Sequence, residues 1–122
     1  MLDTLKFGAI MTLIDTIWIR TYMLPKYKNW FSSIGLNIKY NYVSIFIAYF
    51  TMILVYPLLI KDSNTKKELI KAAFVGGAIF GLYAFTVCGI FPNYGLDFAF
   101  TELVWGVILY TSSVFILKQI IP

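Results

Sequence analysis

An all-α, polytopic membrane protein whose four transmembrane helices form an antiparallel bundle is the fold that this sequence predicts. Three observations lead there. Hydrophobic residues make up 60% of the chain and charged ones 13%, with a mean hydropathy of +0.79, well outside the soluble globular range. The apolar residues gather into four runs of ~20, the length a helix needs to cross a hydrocarbon core. The ten basic residues, nine of them lysine, lie mostly between those runs, which is the ordinary signature of topology and of contact with anionic headgroups. At 122 residues the four spans occupy nearly everything, so one membrane domain over 1–122 is expected.

The first span covers about Thr4 to Met23, with Pro25 as its stop. It is too long for a signal peptide, is interrupted by Asp15 and lacks a small-x-small cleavage pattern, so it reads as a retained span. Between Pro25 and Lys39, the residues Tyr27, Trp30, Phe31 and Ile34 recur at helical spacing while Lys26, Lys28, Ser32 and Ser33 face elsewhere. That suits a short helix in the membrane interface, ended by Gly35. An irregular loop whose aromatic residues belong to the interfacial belt is the alternative.

The second span runs from about Tyr40 to Ile60, with Pro57 marking a bend or the end of the helix. Lys61 to Lys67 is the most polar stretch, and Thr65 to Glu68 matches a capping box in which Thr65 caps and Glu68 reaches back. The third span then runs from about Lys66 to Phe91, ahead of a turn at Pro92-Asn93-Tyr94-Gly95. The fourth covers about Phe98 to Ile121.

Function is to be sought at two acidic residues inside these runs, each followed three positions later by tryptophan: Asp15 with Trp18, and Glu102 with Trp105. A carboxylate at the centre of a bilayer helix costs roughly 2.5–3.5 kcal/mol on insertion scales and persists where protein or water surrounds it. The first and fourth helices run antiparallel in a four-span fold, so the two motifs are mirrored in depth. At ~1.5 Å rise per residue, Asp15 lies ~12 Å and Trp105 ~10 Å from the same membrane face. The spacing therefore predicts a crossed arrangement, Asp15 with the Trp105 indole and Glu102 with that of Trp18.

Each carboxylate has a plainer reading. Both can be polar contacts that fix helix register, and Glu102 sits in the first turns of its helix, where negative charge favours the positive end of the macrodipole. Arg20 is about 140° around the helix from Asp15, a poor intrahelical partner that snorkels outward instead. Ala73, Gly77 and Gly81 recur every four positions in the third helix and predict close helix packing. Thr86-Val87-Cys88-Gly89 lacks the second glycine and the pore helix of a potassium filter.

No histidine and a single cysteine, Cys88, argue against metal or haem ligation and exclude an internal disulfide. With no phosphate loop, Ser/His/Asp set, zinc spacing or lipidation signal, no cofactor and no metal are expected. Nucleic acid is not inferred as a partner from the net charge of +4. Membrane lipids are, together with a second copy of the chain or a larger membrane complex on the structural reading.

These elements resemble domain-of-unknown-function family 2177, small predicted membrane proteins. The family's pattern of four spans, a D-x-x-W element in the first helix, a tyrosine a turn later, a Gly-rich third helix and a D-x-x-W-G element in the last is similar to Asp15 to Trp18, Tyr22, Gly77 with Gly81, and Glu102 to Trp105 with Gly106 here. The resemblance spans nearly the whole chain and implies the fold and these candidate positions, not an activity. This chain departs in having Glu102 in place of aspartate. Where the family carries an acidic residue and a Thr-Asn pair near the end of the third helix, only Asn93 matches.

Three functional classes follow: translocation of protons or a small solute through an intramembrane carboxylate, a structural or accessory subunit, and a lipid-modifying enzyme. The last has no nucleophile or acid/base set beyond the two carboxylates. Counting basic residues places Lys6, Lys61, Lys66, Lys67, Lys71 and Lys118 on the side of the termini, against Arg20, Lys26, Lys28 and Lys39 on the other. Both termini are thus expected to be cytoplasmic. Reporters fused at either end should be active in the cytoplasm; activity outside would reverse the orientation.

Overall fold

A computed structural model describes residues 2–36, 39–91 and 93–120, and their regular structure is all helical. The chain forms α1 (Leu2–Trp18), a π-helical turn (Ile19–Met23) and α2 (Leu24–Ser33). Then come α3 (Tyr42–Val55) ending in a π turn (Tyr56–Ile60), α4 (Thr65–Ile90), and α5 (Leu96–Phe115) ending in a π turn (Ile116–Ile120). Three of these rods are long and apolar enough to cross a membrane: Tyr42–Ile60, Thr65–Ile90 and Leu96–Ile120. The expected end of the fourth span at Ile121, and Pro92 of the expected turn, lie outside the described residues.

Pro25 does not stop the first helix. The chain stays helical through Met23 and Leu24, and the Leu24 N–H donates to the Ile19 carbonyl, five residues back. Proline has no N–H, and its ring would press on the carbonyl four residues earlier. The wider π turn just before Pro25 accommodates both, and α2 proceeds with Pro25 in its first turn. The segment expected as a separate interfacial helix is thus a continuation of α1. Gly35 ends it as expected, with φ 78° and Leu36 N–H returning to the Phe31 carbonyl at 2.8 Å.

Pro57 likewise lies within a π turn, and the helix ends just after it as Lys61 N–H reaches the Tyr56 carbonyl at 2.8 Å. The expected capping box is absent. Asn64 is the cap, its side chain accepting from Lys67 N–H at 3.2 Å, so Thr65 is already helical and Glu68 is released for a buried role. In the polar turn before α4, the Asn64 N–H and the Lys71 ammonium hold the Asp62 carboxyl below the ordinary carboxylate range.

The most extensive interface joins α4 to α5. Every fourth residue of α4 is buried in it or in the adjoining core: Glu68, Ala72, Gly76, Phe80 and Ala84. At its centre Gly76 and Gly106 meet backbone to backbone, since a Cβ on either would collide with the carbonyl oxygen of the other. The Ala73–Gly77–Gly81 stripe sits one residue around. Gly77 and Gly81 leave room for the side chains of Val107 and Leu103, while Ala73 and Gly77 floor a shallow outer groove. The closest approach is therefore made by Gly76, which the four-residue stripe passed over.

These contacts pair rising α4 numbers with falling α5 numbers, so the two helices run antiparallel. The pairs Phe7 with Tyr110 and Trp18 with Trp105 give α1 the same sense against α5. Helix α3 leans on α1, with Ile53 side-chain atoms against Gly8. Its outer residues, among them Val43, Phe46 and Ile47, are exposed. Helix α4 packs against the terminal π turn Tyr56–Ile60 rather than the body of α3.

Gly76→Ala should destabilise the protein by about 1–3 kcal/mol, the range for forcing atoms into a filled contact. Gly89→Ala, with open space around its Cβ position, should be neutral or slightly stabilising by up to ~1 kcal/mol. Unfolding of both variants in the same detergent tests the contrast.

Candidate functional site

The inner face of the first rod explains how the site is assembled. Phe7, Met11 and Asp15 are buried at spacings of four, followed by half-buried Trp18. A regular helix would next bring Tyr22 inward. The π turn inserts a residue, so Met23 takes that place and the face continues through Tyr27 and Trp30. Tyr22 is turned out, its ring tilted 31° against Trp18 with centroids 4.4 Å apart while its hydroxyl accepts from Lys26 at 2.6 Å. One π turn thus removes a sequence candidate from the interior and supplies Met23 and Tyr27 to it.

Asp15, 4% exposed, joins three helices. Its Oδ1 accepts from the Trp105 indole of α5 at 3.0 Å, and its Oδ2 from the Tyr49 hydroxyl of α3 at 2.6 Å. Glu102, 3% exposed, accepts from the Tyr83 hydroxyl of α4. Both carboxylates border one cavity of about 490 Å³. Trp18 and Trp105 form one wall as stacked indoles, 4.3 Å apart and 10° from parallel. The phenols of Tyr27, Tyr49 and Tyr83 and the Phe80 ring complete an aromatic lining.

Half of the crossed arrangement is present. Trp105 meets Asp15 as the spacing predicts, but Trp18 does not donate to Glu102. Its indole stacks on Trp105 instead, and its Nε1 is buried without an acceptor among the described residues. Tyr83 takes the place expected for Trp18. Tyr49 and Tyr83, the two donors that sequence reasoning missed, sit mid-run in apolar helices at positions where tyrosine reads as one more ring. Their depth within the run, away from the interfacial belts, was the available signal. Asn93 lies elsewhere: it has φ 64°, and its amide donates to Ser33 Oγ at 3.4 Å, linking the end of α2 to the turn before α5.

The ionic neighbours of the two carboxylates are the decisive electrostatic feature. Among the described residues no lysine or arginine lines the cavity, and the ion pairs all lie elsewhere. The donors on Asp15 and Glu102 are a neutral indole and neutral phenols. Among the described residues no cluster of three or more His, Cys, Asp or Glu suitable for a metal forms.

A third carboxylate, which the sequence reading assigned to a cap, is the most buried of all. Glu68 is 0% exposed; its Oε1 accepts from Tyr56 at 2.5 Å, and Lys118 from the last turn of the chain's final helix lies 3.2 Å from Oε2. Here a cation balances the charge, and the group ties the ends of α3, α4 and α5 together. Lys118→Met should therefore destabilise toward the lower end of ~3–5 kcal/mol, because the ammonium is partly exposed. Adding Glu68→Gln, which keeps an acceptor for Tyr56, should restore most of that loss in a detergent unfolding series.

No curated protein and no solved structure matches the chain. The family described as "Predicted membrane protein (DUF2177)" matches residues 2–117. With nearly its whole length covered, and with the helices, carboxylates and small-residue contacts in place, the chain belongs to this family of predicted membrane proteins.

Proposed function

We propose that the chain crosses the membrane four times and that the Asp15–Glu102 cavity translocates protons or a small solute. The first rod supplies the remaining span. It is antiparallel to α5 and contributes Phe7 and Met11 to the same core as α3, α4 and α5. In this arrangement α2 lies toward the far headgroup layer, its lysines facing water while Tyr27 packs on Phe98 and Trp30 on Tyr94. Both termini then face the cytoplasm.

The observation that carries the proposal is that Asp15 and Glu102 border one cavity and that neither is paired with a cation among the described residues. A buried carboxylate without a cation is held neutral by a proton or balanced by a charged guest. Exchange of one for the other is the elementary step of coupled transport. The phenols follow the same logic: Tyr49 and Tyr83 can donate to an ionised carboxylate and turn away when it is protonated.

A second reading rests on a different observation. The three hydrogen bonds tie α1 to α5, α1 to α3 and α4 to α5, which is the pattern of polar contacts that set helix register in a structural or accessory subunit. The two readings separate in liposomes. Proton flux through wild-type protein, lost in Asp15→Asn or Glu102→Gln variants that keep their helical content, is the expected result. Absent flux in wild type, with Asp15→Asn merely less stable, would select the structural role.

A further inference from the structure

We propose that the cavity between Asp15 and Glu102 is a binding site for a lipophilic organic cation, a quaternary or protonated amine with apolar substituents, admitted sideways between α3 and α4. The inference rests on the reading of this cavity as the working site and names the class of guest it takes.

Charge comes first. Two carboxylates border the space, and the groups that hold them are neutral. A guest of positive charge gains from both as they release their protons, whereas an anion meets repulsion and a neutral guest leaves them protonated and gains no charge pairing. The walls decide what kind of cation. Indoles and phenols present negative π-faces that attract a diffuse, weakly hydrated charge, the arrangement by which aromatic cages select quaternary ammonium groups. A small inorganic cation fits poorly. Calcium requires six to eight oxygen ligands, and the volume of about 490 Å³ is that of a site for an organic molecule.

The route follows from the packing. Helix α4 contacts the end of the second rod at Tyr56–Ile60 instead of the body of α3. Ala48 and Thr51 of α3 are exposed and also line the cavity, as does Tyr83 of α4, which is 41% exposed. The gap between these residues faces outward at the depth of the carboxylates. Tyr83 is both at this mouth and bonded to Glu102, so a guest passing it meets the residue whose hydroxyl must move when the carboxylate changes partner. The buried Trp18 Nε1, without an acceptor, adds a donor for a hydroxyl or carbonyl on the guest.

The test is equilibrium dialysis of radiolabelled benzyltrimethylammonium against the purified full-length protein in a neutral detergent. Neopentylbenzene, its uncharged carbon isostere, serves as competitor. Wild type should bind saturably, with affinity at least tenfold weaker in the Asp15→Asn/Glu102→Gln protein. Trp18→Leu, which removes an aromatic wall and leaves both carboxylates, should weaken binding several-fold. Near-ultraviolet circular dichroism checks that the variants fold, and the isostere comparison in wild type stands even where they do not. No saturable binding, undiminished binding by the folded double variant, or displacement by neopentylbenzene at similar concentration would overturn the proposal. Binding without proton flux would leave the cation site standing and remove proton translocation. Flux that persists in a protein without cation binding would do the reverse.

Discussion

A carboxylate placed where water is scarce must be satisfied by its own neighbours, and Asp15 meets this constraint by accepting from two other helices at once. Its two oxygens are taken by Trp105 of α5 and Tyr49 of α3, so α1 cannot slide or rotate against either without orphaning a buried polar group. The remaining contacts are consistent with that fixed point. Antiparallel pairing of α1 with α5 stacks Trp18 on Trp105, and the Gly76–Gly106 approach brings α4 close enough for Tyr83 to reach Glu102. Small residues and polar residues thus act on one problem: the first set the distance between helices, the second set their register.

The helical class and the three long apolar helices were legible because they depend on composition and on the length of apolar segments, quantities that local sequence carries in full. Asp15 was legible for a related reason, since a charge in an apolar run is an anomaly; Trp105 followed from its spacing to Glu102 and its depth opposite Asp15, and Gly106 came with the family resemblance. The partners were harder. Tyr49 and Tyr83 are unremarkable in runs already rich in aromatic rings, and their role appears only when another helix brings a carboxylate to them. Tyr22 was a candidate through the family resemblance alone, and the π turn before Pro25, which advances the inner face by one residue, leaves it exposed and Met23 buried. Glu68 was misread because Thr65-x-x-Glu68 satisfies a local rule that Asn64 satisfies better, and the pull that decided the matter came from Tyr56 and Lys118, far along the chain.

Proline placement also links sequence to the site. Both Pro25 and Pro57 lie at or beside a π turn, and both turns shape the surroundings of the cavity. The first feeds Met23 and Tyr27 into the cavity. The second carries the contact between the α3 rod and α4, leaving the rest of that seam loosely closed. A straight α-helix through either position would have turned different side chains inward.

The comparison of the two buried acidic centres is what separates a site from a strut. Glu68 has a lysine as partner and a phenol as donor, and it joins helix ends in the manner of a clamp. Asp15 and Glu102 have donors of the same neutral kind but no cation, and they border empty space. A carboxyl that only holds helices together can stay protonated and neutral, whereas Asp15 and Glu102 also border a cavity in which a cation could replace those protons. Two carboxylates held by neutral donors, an aromatic lining and a lateral gap beside Tyr83 therefore coincide at one place, away from the helix ends that Glu68 ties together.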